Sequence, residues 1–126
     1  MVDKNKHIEY WRLGAEDALD SAEKLIAQGK VQHGLFFAHL AIEKILKAHV
    51  CQTTGDIAPF IHNLARLAEF AMLNIDKTQE KTLEKINRFN IEGRYEDFLD
   101  PTPSLSDGRE YFENAKEIYQ WLTEQL

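Results

Sequence analysis

The sequence predicts an all-α protein, an antiparallel up-and-down helical bundle of four to five helices. Three observations favour this fold class. Apolar residues recur at three- and four-residue steps from the first segment to the last, and only six glycines and three prolines occur in 126 residues. No segment has the two-residue alternation of a strand. The length suits one domain, so we expect a single domain over residues 1–126.

The first half of the chain predicts two long helices and a loop. The first helix is expected at about Asn5 to Gln28, because Gly29 follows its last periodic residue and can adopt the left-handed conformation that ends a helix. Apolar residues wrap around most of the segment from Val31 to Val50, which predicts the central, most buried helix. The residues from Cys51 to Pro59 have turn character and no period, so they predict a loop.

The next segment predicts two shorter helices. A helix begins at Ile61 and ends near Asn74. Asp76 and Gln79 have the spacing of a capping box, and a more polar helix follows them until Gly93.

The last segment predicts one more helix. The stretch from Asp100 to Ser104 contains two prolines and cannot continue a helix, because proline lacks the amide donor. Ser104 or Ser106 can then cap a final amphipathic helix that reaches Leu126.

Composition narrows the function classes. The net charge of −6 opposes broad attraction to nucleic acid, so any such role needs a local basic patch. The one cysteine, Cys51, excludes an internal disulfide and zinc sites with several thiolates. The sequence shows neither a signal peptide nor a membrane-spanning run, and we expect a cytoplasmic protein without a membrane partner.

Motifs for bound cofactors and metals do not occur. Glycine-rich phosphate loops, zinc-binding spacings, the nucleophile elbow and the Glu-x-x-His pairs of di-metal bundles are all missing, so we expect no cofactor and no metal. His39 and Glu43 are four residues apart and could share a metal. A histidine that is hydrogen-bonded to a nearby carboxylate or carbonyl is the more common arrangement.

Charged residues on the second predicted helix are candidates for ligand binding. Glu43, Lys44 and Lys47 form a stripe on an otherwise apolar helix, with Glu43 and Lys47 in the favourable order for an intrahelical pair. The stripe faces either solvent or a polar groove, because burial of unpaired charge is costly. His62 is either a cap or packing residue of the third helix or an imidazole presented at its positive end.

A second group of candidates lies at the end of the fourth predicted helix. Arg88, Arg94 and Tyr95 could hold a phosphate or stack on a base, since guanidinium groups match phosphate oxygens. The arginines could equally pair with neighbouring carboxylates, which are Glu92, Glu96 and Asp97.

Four pieces of the sequence together resemble the HEPN domain family over almost the whole chain. They are Tyr10-Trp11 with the alanines that follow, the stretch Ala41-Ile42-Glu43-Lys44-Ile45-Leu46-Lys47-Ala48, His62-Asn63-Leu64, and Arg94-Tyr95. The second piece is similar to the family pattern A-x-E-K-x-L-K-A, the third to H-D-L and the fourth to R-Y-P. Asn63 and Glu96 depart from the aspartate and proline of the last two patterns.

The resemblance implies a homodimeric bundle, often encoded with a minimal nucleotidyltransferase in prokaryotic toxin–antitoxin-like pairs. Ribonuclease members of the family have a histidine about four to six positions after an arginine, where the histidine transfers a proton. No arginine of this sequence is followed by histidine at that spacing, and Arg94 takes that place after Arg88.

The leading hypothesis is therefore a dimeric binding module without catalysis of its own. Its partner would be a minimal nucleotidyltransferase, and its ligand a nucleotide or RNA held by Glu43, Lys44, Lys47, His62, Arg88, Arg94 and Tyr95. One alternative is a metal-independent endoribonuclease toxin that uses His62 and Arg94. The other is a purely structural adaptor.

Overall fold

The protein, described by a computed structural model over residues 3–92 and 102–126, consists of packed helices in this part of the chain. The helices are α1 (Lys4–Ala27), α2 (Val31–Thr54), α3 (Leu64–Phe70), α4 (Lys77–Asn87), α5 (Phe89–Glu92) and α6 (Leu105–Gln125). The predicted all-α helical bundle is confirmed. None of the helices in the described part combines the length and apolarity that a membrane crossing requires.

Helices α1 and α2 form a tight antiparallel pair. Gly29 has a φ of +79° in the turn between them. The buried face of α1 is made mostly of alanines, which allow the two backbones to approach. At Gly34 a Cβ atom would lie 2.6 Å from Cδ1 of Ile26, so a larger residue here would displace the side chain of Ile26. The predicted bounds of the first helix differ from the observed ones by one residue at each end.

Helix α2 is the central element, as the sequence predicts. It packs against α1, α3, α5 and α6, and residues on all its sides are buried. The helix continues to Thr54, so the predicted loop beginning at Cys51 is wrong in its first four residues. Cys51 is fully buried, and Gly55 ends the helix with a φ of +71°. The apolar periodicity of the sequence therefore ends before the helix itself ends.

Helix α3 is shorter than predicted at both ends. The side chain of Asn63 accepts a hydrogen bond from the backbone amide of Arg66 at 3.1 Å, which fixes the first turn three residues after Ile61. The last turn ends at Phe70, and Met72 then takes a left-handed conformation with a φ of +56°. The apolar residues beyond Phe70 therefore belong to a turn.

The predicted caps of the later helices are confirmed. Asp76 and Gln79 form a capping box at the start of α4, and Ser104 accepts from the amide of Asp107 at the start of α6. The predicted fourth helix is divided at Arg88 into α4 and the four-residue α5. Its predicted end at Gly93 lies outside the described residues.

A buried histidine joins α2 to α6. Nε2 of His49 lies 2.7 Å from the carbonyl oxygen of Leu122, and because a carbonyl only accepts, this nitrogen carries the hydrogen. Burial lowers the pKa of His49 from its ordinary value, and the hydrogen bond to Leu122 partly opposes that shift.

Candidate functional site

A buried carboxylate is the centre of the polar cluster. Glu43 is only 5% exposed, and its two oxygens have different partners. Oε2 accepts a hydrogen bond from Nζ of Lys47 at 3.1 Å, and Oε1 lies 3.1 Å from Nδ1 of His62. Lys47 follows Glu43 by one turn of α2, whereas His62 comes from the segment that precedes α3. We call Glu43, Lys47 and His62 the Glu43 cluster.

His62 has a defined orientation in this cluster. An ionised carboxylate can only accept, so the hydrogen between His62 and Glu43 resides on Nδ1 of the imidazole. The side chain of His62 is 52% exposed, so the imidazole is in contact with solvent. The cluster therefore links a buried acid to an accessible imidazole.

His39 lies on the same face of α2, one turn before Glu43. Its Nδ1 atom is 3.8 Å from Oε1 of Glu43, which is longer than a hydrogen bond, and its side chain is 1% exposed. Within residues 3–92 and 102–126, no group of three or more histidine, cysteine and acidic side chains is arranged to hold a metal ion.

Lys47 also contacts α1. Its Nζ atom lies 5.1 Å from the ring centroid of Trp11, within the range of a cation–π interaction. Trp11 in turn meets the ring of Tyr10 edge to face, with centroids 5.0 Å apart and an interplanar angle of 80°. Through Lys47 the Glu43 cluster supports a pair of aromatic side chains on α1.

These aromatic side chains form one wall of an open groove of about 500 Å³. Phe60 and its neighbours in the segment between α2 and α3 also line it, and Phe60 itself is 99% exposed. Three basic side chains and no acidic ones are among the described residues that line it. The lining residues are Lys6, His7, Tyr10, Trp11, Lys47, Ile57, Ala58, Pro59 and Phe60. We call this space the α1 groove.

The structure corrects part of the interpretation of the charged stripe. Glu43 and Lys47 are buried at 5% and 6% exposure, so the solvated-stripe interpretation is wrong for both. Their pairing compensates the cost of removing each charge from water. Lys44 is half-buried and lies along α1, where a Cβ atom added to Gly14 would be 3.2 Å from Cδ of the lysine.

The other predicted residues have separate outcomes. His62 is not the cap of α3, because Asn63 has that role, and it joins the Glu43 cluster instead. The guanidinium of Arg88 lies over the rings of Phe89 and Tyr111, at 5.0 and 5.8 Å from their centroids. Arg94 and Tyr95 lie outside the described residues. Both interpretations of these side chains, contact with a phosphate or base and pairing with neighbouring carboxylates, therefore stay predictions.

Sequence reasoning missed most of the α1 groove. Lys6, His7 and Phe60 were not among its candidates, and Tyr10 and Trp11 entered only through the family resemblance. The available signal was the helical spacing, since Lys6 and Tyr10, like His7 and Trp11, are four residues apart and share one face of α1. The contact of that face with residues 57–60 needed the folded chain.

Comparison with known proteins agrees with this architecture. The sequence profile of the HEPN domain matches residues 8–126. The chain has no significant match among curated proteins. The crystal structure of TT1696 from Thermus thermophilus is similar in fold, with a TM-score of 0.79 and 19% sequence identity over 95% of this chain and 98% of that one.

Proposed function

The chain belongs to the HEPN domain family, and from this we propose that it is a dimeric binding module without catalysis of its own. Its partner is a minimal nucleotidyltransferase in a toxin–antitoxin-like pair, and its polar face contacts a nucleotide or RNA. One observation carries the binding role. Lys47 contacts both Glu43 and Trp11, so the buried ion pair supports the wall of an open groove.

Such support favours binding over proton transfer. A side chain held by a buried ion pair keeps one position, and a preformed wall lowers the entropy that a ligand loses when it binds. The ammonium of Lys47 already has a carboxylate partner at 3.1 Å. Its role in this proposal is to hold Trp11 in place.

The dimer and the partner can be tested together. Light scattering of the purified protein over a range of concentrations should give twice the chain mass, and a co-expressed nucleotidyltransferase encoded beside its gene should co-purify with it. A protein that stays monomeric at all concentrations contradicts the proposal.

A thermal-shift screen tests the ligand. A nucleotide that binds the folded protein should raise its melting temperature. The absence of a shift with any nucleotide or RNA favours the structural adaptor.

A second candidate, a metal-independent endoribonuclease, is favoured by the orientation of His62. A carboxylate on Nδ1 and a half-exposed imidazole ring are features that a general acid or base requires. Arg94 would bind the scissile phosphate in this mechanism. Cleavage of an RNA oligonucleotide that is lost in His62→Ala and retained in His33→Ala, a variant of another histidine outside the cluster, would support this candidate. Equal cleavage by the His62→Ala variant and the parent would exclude it.

A further inference from the structure

The α1 groove combines aromatic surface with local positive charge in an acidic protein. Phe60 and Tyr10 are 99% and 67% exposed, although large aromatic side chains usually bury most of their surface. The volume of about 500 Å³ is within the range of pockets that hold small ligands. Exposed aromatic surface along such a space can stack on a flat ring.

Basic side chains also line this groove. Lys6 and His7 are in the first turns of α1. Asp3 accepts from the amide of Lys6 and Asp56 accepts from the amide of Ile57, and neither carboxylate forms an ion pair with the side chain of Lys6. The ammonium of Lys6 is therefore available to an anionic group.

We infer that the α1 groove binds a single nucleotide, with its base between Phe60 and the Tyr10–Trp11 pair and its phosphate at Lys6 and His7. This inference rests on the proposed function and assigns its nucleotide contact to residues outside the Glu43 cluster. Lys47 is a positioning residue here, because its contact with Trp11 orients the wall on which the base stacks.

Charge decides between a mononucleotide and a longer strand. The whole chain carries a net charge of −6, so a polyanion that extends beyond the groove meets repulsion from the rest of the surface. A mononucleotide needs only the local basic residues. The inference therefore commits to one nucleotide unit as the occupant.

Fluorescence of Trp11 provides the direct test. The chain has two tryptophans, and a Trp121→Phe background leaves the indole that lines the groove as the sole tryptophan. AMP and UMP should change this emission with saturation, and calorimetry on the unmodified protein should give the same Kd. Adenosine should bind more weakly than AMP, and inorganic phosphate alone should leave the emission unchanged. A short single-stranded RNA should bind no tighter than the mononucleotide.

Two variants with matched controls locate the site. Phe60→Ala should weaken AMP binding about tenfold, because stacking of a base on an aromatic ring is lost. The control Phe70→Ala removes an exposed phenylalanine that lies on α3 and does not line the groove, so it should leave AMP binding unchanged. Lys6→Gln should weaken AMP several-fold and leave adenosine unchanged, and Lys77→Gln on α4 should change neither.

The outcomes separate this inference from the proposed function. Nucleotide binding that both groove variants leave intact would overturn the groove assignment and keep the binding module. Tight binding of RNA without binding of AMP would also overturn it. Loss of the dimer and of the partner would contradict the proposed function, even if AMP still bound in the groove.

Discussion

Glu43 is the residue that holds the Glu43 cluster together. Its carboxylate is shared by Lys47 and His62, both at 3.1 Å, and it is almost fully removed from water. A buried pair of this kind contributes little compared with an apolar pair of the same volume, but removal of one partner leaves an uncompensated charge. The energetic role of Glu43 is therefore visible mainly when the cluster is broken.

Substitution of Lys47 should show this cost. Lys47→Met keeps much of the side-chain volume but leaves Glu43 buried without its ammonium partner, so we expect a loss of about 3 kcal/mol in the free energy of unfolding. Urea denaturation measures it. The double variant Glu43→Gln/Lys47→Met should lose less than the sum of the single variants, and simple additivity would contradict the coupling.

The predicted pH dependence also belongs to a single residue. Because burial lowers the pKa of His49 in the folded state, the unfolded chain takes up the proton first as the pH falls. The free energy of unfolding is unaffected by titration of His49 above the ordinary histidine pKa of about 6.5. Below that pH it falls, by at most about 1.4 kcal/mol per pH unit, because the unfolded chain binds the proton more readily. Urea unfolding at about pH 7.5 and pH 5.5 measures the change.

The control for His49 retains its hydrogen bond. In His49→Gln the amide can still donate to the carbonyl of Leu122 but does not titrate. This variant should lose less stability than the parent between the two pH values. An equal loss would show that other groups cause the pH dependence.

At the scale of helices, the close contact of α1 with α2 sets the geometry of both the groove and the cluster. Trp11 reaches Lys47 across this contact, and Gly14 lies beside Lys44 in the same antiparallel register. The separation of the two helices is set where Gly34 meets Ile26. A change at that point should therefore alter stability and also displace the aromatic wall.

Two glycine substitutions test the close packing. Gly34→Ala places a methyl group 2.6 Å from Cδ1 of Ile26, and we expect a net loss of about 1 kcal/mol, because overpacking exceeds the gain in helix propensity. Gly14→Ala meets only the flexible stem of Lys44 at 3.2 Å, so it should be neutral or slightly stabilising. Thermal and urea denaturation compare them, and a stabilised Gly34→Ala variant would contradict the tight contact.

Helix caps and contacts within one helix were predictable from sequence, whereas contacts between helices were not. The capping box of Asp76 and Gln79 and the pair of Glu43 and Lys47 follow from spacing. The bond between Glu43 and His62 joins residues 19 apart in sequence, and the groove joins residues 6–11 to residues 57–60. Burial of the charged pair was missed because charged side chains usually face solvent.

At the scale of the whole molecule, the proposed dimer should couple stability to concentration. If two chains associate in the folded state only, dilution favours unfolding by mass action. The melting temperature should then rise over about a hundredfold increase in protein concentration, as followed by circular dichroism. A melting temperature that is independent of concentration over this range would contradict the dimer.

The exposure of Phe60 has a further consequence for the integrity of the chain. Chymotrypsin cleaves after accessible aromatic residues in exposed loops, and Phe60 lies outside the helices between α2 and α3. A cut there would leave α1 and α2 in one fragment and α3 to α6 in the other. Because α2 packs against both α3 and α6, the two fragments should remain associated after the peptide bond is broken and separate only in denaturant.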